Sequence, residues 1–184
     1  MRARLAIGCL ATVAVADYVI EHVELPWLAV GLFDEPAHLA TGWLLGGPDP
    51  LFLAGSLLPD VDHVPLAFQD PQPGDPRPKT HSLCAAAVTA LFSRRLAAGV
   101  LAHFARDLAV QPGVPLLWPV TGRELRIPYA AYAATLVAAA ALRSTGRAPR
   151  RRGSGSWRAG RAAAATGPAS APARSCRSRP RPQA

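Results

Sequence analysis

The sequence predicts an all-α protein, a small membrane-associated bundle of short helical hairpins followed by a disordered C-terminal tail. Three observations predict it. Apolar residues come in blocks of about 8 to 16, cut by proline and glycine. Several blocks carry helical spacing. Charge is divided sharply along the chain. Residues 1–142 hold 9 Lys+Arg and 12 Asp+Glu, a net of −3, whereas 143–184 hold 11 Arg and no acid, and together these give +8. The high pI therefore belongs to the tail, and specific nucleic-acid binding is not expected from it. The length of 184 residues suggests one domain, placed at 1–142, with the tail at 143–184.

The chain opens with Arg2 and Arg4 and an apolar run from Leu5. Ala14-Val15-Ala16 would suit cleavage of a leader peptide, but an uncleaved membrane segment, Leu5–Ile20, is favoured because later blocks also look membranous. Pro26 and Pro36 then indicate a loop or broken helix, with Asp34 or Glu35 as a cap. His38 opens the run to Gly46, and Gly46-Gly47-Pro48-Asp49-Pro50 is a turn. Leu51–Leu58 completes a hairpin that brings His38 and Asp60 to one end.

Five prolines between Pro65 and Pro78 make an irregular loop. Thr80 or Ser82 caps the run Leu83–Phe92, Ser93-Arg94-Arg95 interrupts, and Leu96–Val110 continues as a helix. This second hairpin carries His81 and the pair His103/Asp107 at the end away from Arg94 and Arg95. A Pro/Gly loop with Trp118-Pro119 precedes a last apolar helix, Tyr129–Leu142. The tail of Arg, Ala, Pro, Gly and Ser cannot bury a core. Beside a membrane segment it reads as cytoplasmic, drawn to anionic membrane lipid, and as a surface for a protein partner. The basic residues place the N-terminus, Arg94/Arg95 and the tail inside, and the His/Asp ends outside, in a multi-pass inner-membrane protein. The blocks are mostly shorter than the roughly 20 residues of a full helical span.

Asp60, Asp62 and His63 fall within four residues, directly after the apolar run and Pro59. Such groups at the edge of an apolar segment are costly to desolvate unless paired, and a divalent cation would pair with all three. His103 and Asp107 are four apart, on one face of a helix, where both can grip one cation or simply bond to each other. His38 and His81 are each ambiguous alone. Together, four of the five histidines and three carboxylates reach segment ends that the hairpins bring together. Imidazole and carboxylate without thiolate suit zinc in a catalytic site, with manganese or another transition metal as alternatives. His38, Asp60, Asp62, His63, His81, His103 and Asp107 exceed one tetrahedral site, so two metals or a set of supporting partners would be involved. Cys9, Cys84 and Cys176 are given no role.

His38-x3-Gly42, Gly55-Ser56-Leu57-Leu58-Pro59-Asp60-Val61-Asp62-His63, Arg77-x2-Thr80-His81-Ser82, His103-x3-Asp107 and Gly113…Trp118-Pro119 occur in that order. This series resembles the YdjM family of bacterial inner-membrane proteins, described as metal-dependent hydrolases and as LexA-binding. Pro76 stands before Arg77, where the family's pattern usually has His. The resemblance implies metal-dependent hydrolysis, of an ester or phosphoester, and a site at the membrane edge suggests a lipid or envelope substrate. Asp60, Asp62 or Asp107 would act as base, and Arg77, Lys79 or Arg106 would hold an anionic leaving group. The competing expectation is a non-enzymatic membrane protein with a structural metal site and a partner-binding tail.

Overall fold

Proline, glycine and capping residues divide the chain much as the sequence suggests, with two instructive exceptions. A computed structural model describes residues 2–64, 80–110 and 113–145, with the backbone alone for Trp27, Leu28 and Asp62. The expectations for Arg77 and Lys79, and for most of the tail, lie outside the described residues. The described residues fall in one unit, Met1–Ala148. They are helical, with a single isolated bridge between Val114 and Leu125 and no other β-structure among them.

Helix α1 runs Arg2–His22. Its inward residues Ala6, Val13 and Ala16 belong to an apolar core shared with Ala37, Ala40, Leu44, Tyr132, Leu136 and Ala140. Cleavage after Ala16 would remove three residues of that core. At 21 residues α1 is about 30 Å long, enough for a bilayer's hydrocarbon layer. Among the described residues it is the one helix long and apolar enough to cross a membrane. One such helix supports membrane association, and the multi-pass expectation finds no further support among the described residues. The remaining helices are shorter or, in α2, carry Asp34, Glu35 and His38.

The first exception is α2, Trp27–Gly46, which passes straight through Pro36. Asp34 and Glu35 lie inside the helix and cap nothing. An interior proline costs roughly 3 kcal/mol and one backbone hydrogen bond. Pro36 faces outward, while Phe33, Ala37, Ala40 and Leu44 pack inward, and that packing outweighs the cost.

The second exception follows the turn. Asp49 caps α3, Pro50–Gly55, by accepting from the Leu51 and Phe52 amides. The expected run to Leu58 instead stops at Gly55, and a 3₁₀ helix, Leu58–His63, carries Pro59 through His63. Helix α3 crosses α5 at backbone contact. A Cβ on Gly55 would lie 2.0 Å from the Leu96 carbonyl oxygen, and one on Gly99 would lie 2.0 Å from that of Phe52.

Helix α4, Leu83–Phe92, is capped by the Ser82 hydroxyl accepting from the Ala85 amide. A single residue, Ser93, separates it from α5, Arg94–Asp107, so Arg94 and Arg95 begin α5 and do not lie in a turn. Helix α4 packs on α5 and leaves Leu91 and Phe92 83% and 84% exposed. Helix α6, Tyr129–Ser144, returns along α1 and α2. It extends two residues past the boundary expected at Leu142. Its Arg143 donates to the carbonyls of Leu44 and Leu45, closing the C-terminal end of α2.

Candidate metal centre

The close crossing of α3 and α5 sets the site. It places the Ser56 carbonyl 2.9 Å from Nδ1 of His103 on α5. An Nδ1–H donating there fixes the ring and turns Nε2 into the protein. Gly42 on α2 leaves room for Ser56, since a Cβ at Gly42 would meet Ser56 Oγ at 2.7 Å. His81 comes from the segment just before the α4 cap, His38 from the middle of α2, Asp60 and His63 from the 3₁₀ helix, and Asp107 from the end of α5.

These side chains converge. His103 Nε2 lies 3.2 Å from His81 Nε2, 3.0 Å from Asp107 Oδ2 and 3.5 Å from Asp60 Oδ1. His81 Nε2 is 3.4 Å from both Asp60 Oδ1 and Asp107 Oδ2. His38 Nε2 is 3.4 Å from Asp107 Oδ1 and 3.7 Å from Asp60 Oδ2, and its ring stacks on that of His103 at 3.7 Å. His63 Nδ1 reaches Asp60 Oδ1 at 3.2 Å from the more open side. His38, His81 and His103 are fully buried, and Asp60 and Asp107 nearly so.

A hydrogen-bonded chain would pair each atom with one or two neighbours. Here five side chains, from α2, the 3₁₀ helix, α5 and the segment before α4, are linked by donor-atom separations of 3.0–3.7 Å. Donor atoms at about 2.0–2.1 Å from a tetrahedral cation stand about 3.3–3.4 Å from one another. The buried Asp60 Oδ2 has no hydrogen-bond partner. The imidazole and carboxylate donors, their spacing and this oxygen fit a divalent cation. Among the described residues, three groups could hold a metal ion: His38/Asp60/His103, Asp60/His63/His81 and His81/His103/Asp107.

The electrostatics fit the same picture. Burial works against ionising Asp60, but hydrogen bonds from His63 and His81 and the charge of His103 outweigh it and hold the carboxyl well below its usual range. Burial disfavours protonation of His103, yet the Asp107 carboxylate more than compensates and raises it to about 9. That proton occupies the nitrogen a cation would use. Glu35, half-buried on α2, is pushed up to about 7 by burial and by the charges of Asp60 and Asp34.

Of the residues expected at the site, His38, Asp60, His63, His81, His103 and Asp107 stand together. The side chain of Asp62 lies outside the described residues, as do Arg77 and Lys79. Arg106 requires correction. It is 1% exposed, donates from Nη2 to Asp17 Oδ1 at 2.7 Å and from Nη1 to Asp34 Oδ1, and lies 3.1 Å from His38 Nε2. A guanidinium engaged by two carboxylates inside the protein is not presented to a leaving group. Asp17 and Asp34 were not singled out as site residues. Asp34-x3-His38 has the same spacing as His103-x3-Asp107. The helix break read into Pro36 concealed it.

Residues 5–166 match the family described as YdjM inner membrane protein. No curated protein and no solved structure matches the chain.

Proposed function

From a chain that belongs to the YdjM inner membrane protein family, and from its converging donor atoms, we infer a membrane-anchored metal-dependent hydrolase of an ester or phosphoester. The observation that carries this reading is the set of 3.0–3.7 Å separations among His38, Asp60, His81, His103 and Asp107. Zinc suits the donors best, since the groups contain nitrogen and carboxylate oxygen and no sulfur.

A divalent cation bound there supplies Lewis acidity and lowers the pKa of a bound water. The chain's own residues supply the rest. Ser56 orients His103 through Nδ1. Asp60 and Asp107 provide carboxylate oxygens, and whichever is less engaged as a ligand takes the proton from the attacking water. His63 and Glu35 are part-exposed beside the buried donors. Arg77 and Lys79, just before Thr80-His81, would hold an anionic leaving group. Helix α1 as anchor keeps this chemistry at the bilayer, which favours a lipid or envelope substrate. The basic tail would contact anionic lipid or a protein partner.

The test is metal analysis of purified protein together with phosphodiesterase, phospholipase and esterase assays. Wild type should hold at least one equivalent of metal and lose activity to a chelator. His103→Ala should lose both metal and activity. Full metal content and unchanged activity in that variant would remove the proposed centre. Burial of His38, His81 and His103 also suits a closed structural site. Metal bound at full occupancy without any hydrolysis would favour that second reading.

A further inference from the structure

Asp17 is the feature that the hydrolase reading leaves unused. A carboxylate in an apolar membrane helix is costly and marks a function when it persists. This one is 9% exposed and touches no candidate metal ligand in the contacts above. It accepts from Arg106 Nη2 at 2.7 Å on one oxygen and from the Tyr129 hydroxyl at 2.9 Å on the other. Arg106 precedes Asp107 directly and lies 3.1 Å from His38 Nε2, while Asp34 fixes its Nη1. One guanidinium thus joins α1, α2 and α5, and Tyr129 adds α6.

We propose that Arg106, held by Asp17 of the membrane helix and Asp34 of α2, is a positioning residue that fixes the last turn of α5, and with it Asp107, against His38 of α2 at the metal centre. Helix α1 is then a working part of the site as well as its anchor. The physical reason is the geometry of the fork. A guanidinium bonded at both Nη atoms has no freedom to rotate, so the last turn of α5 is locked against α2. Take Asp17 away and Nη2 loses its carboxylate inside the protein. Arg106 must then tilt toward Asp34 or toward water, and His38 and Asp107 move with it. The same arrangement requires that residues 1–16 stay attached, because they hold Asp17 in place.

This inference rests on the metal-centre reading, and its test separates the two. Full-length protein in detergent micelles would be titrated with zinc against a chromophoric chelator. The same samples, free of metal, would give the ring ¹⁵N shifts of His38 and of the distant His22. Asp17→Asn should weaken zinc binding about 10- to 100-fold, the range seen when a ligand's supporting partner is lost, with helical content unchanged. It should move the His38 shifts and leave His22 in place. Arg106→Lys should fall between, because an ammonium cannot serve both carboxylates as a fork. Tyr129→Phe, which removes one hydrogen bond to Asp17, should weaken zinc about threefold, and it decides the matter if Asp17→Asn does not fold. Zinc affinity within twofold of wild type and an unmoved His38 in these variants would overturn the proposal. If wild type itself binds no zinc, the metal reading falls. The His38 shift of the metal-free variants then still decides the positioning claim, movement supporting it and none overturning it.

Discussion

The protein has two interiors. One, among α1, α2 and α6, is apolar and built mostly of small side chains: Ala6, Ala16, Ala37, Ala40 and Ala140, with Val13, Leu44 and Leu136. The other, where α2, α5, the 3₁₀ helix and His81 meet, buries His38, His81, His103, Arg106, Asp60 and Asp107. The first brings helices together at little cost. The second is expensive to bury and holds together only through complementary charge. The contrast teaches that the alanine core is a scaffold, while the polar core is where the fold gives up stability to gain a binding geometry.

Substitutions should separate the two. The largest effect is expected from His103→Ala, which removes a donor, its bond to Ser56 and its stack on His38. Zinc affinity measured by chelator competition should fall by at least ~100-fold. Next comes Gly99→Ala, whose Cβ would press on the Phe52 carbonyl at 2.0 Å. Denaturant unfolding should show a loss of about 3 kcal/mol, and metal affinity should fall as well, because the same crossing places Ser56 against His103. Leu136→Ala, confined to the alanine core, should cost about 2–4 kcal/mol of stability while leaving zinc affinity within about threefold. A large loss of affinity there would break the division between the two interiors.

A smaller, pH-dependent effect sharpens it further. In metal-free protein His103 is raised from 6.5 to about 9. A group raised on folding contributes stability that is fully present below the unfolded value and lost as pH rises through the folded one. Thermal unfolding of the metal-free protein should therefore shift downward between pH 6.5 and 9. Metal binding must expel the same proton, so zinc affinity should rise over that window. His103→Ala should flatten both trends. The smallest effect is expected at Arg95→Ala. Its ion pair with Asp49 is 3.5 Å long with an exposed guanidinium, and its removal should change stability by no more than about 0.5 kcal/mol.

Much of this was legible in the residues. Segment ends and caps follow local chemistry, so a cap at Thr80 or Ser82 and the 46–50 turn could be read directly. The gathering of His38, Asp60, His63, His81, His103 and Asp107 followed from two hairpins and a one-ended distribution of ligand types. What escaped depends on tertiary packing. Pro36 reads as a helix breaker, and only the contacts of Phe33, Ala37 and Leu44 carry α2 through it. With that helix restored, Asp34 pairs with His38 by spacing alone. Asp17 lies 89 residues from Arg106, and nothing local announces their bond. For the same reason Arg106, basic and beside Asp107, resembled a substrate contact until its carboxylate partners were visible.

The most direct test of the central claim is X-ray absorption at the metal edge of zinc-reconstituted wild-type protein. The account requires a stoichiometric ion in a shell of nitrogen and oxygen at about 2.0–2.1 Å, with the outer scattering of imidazole rings. A protein that retains no zinc, or a shell containing sulfur, would contradict it.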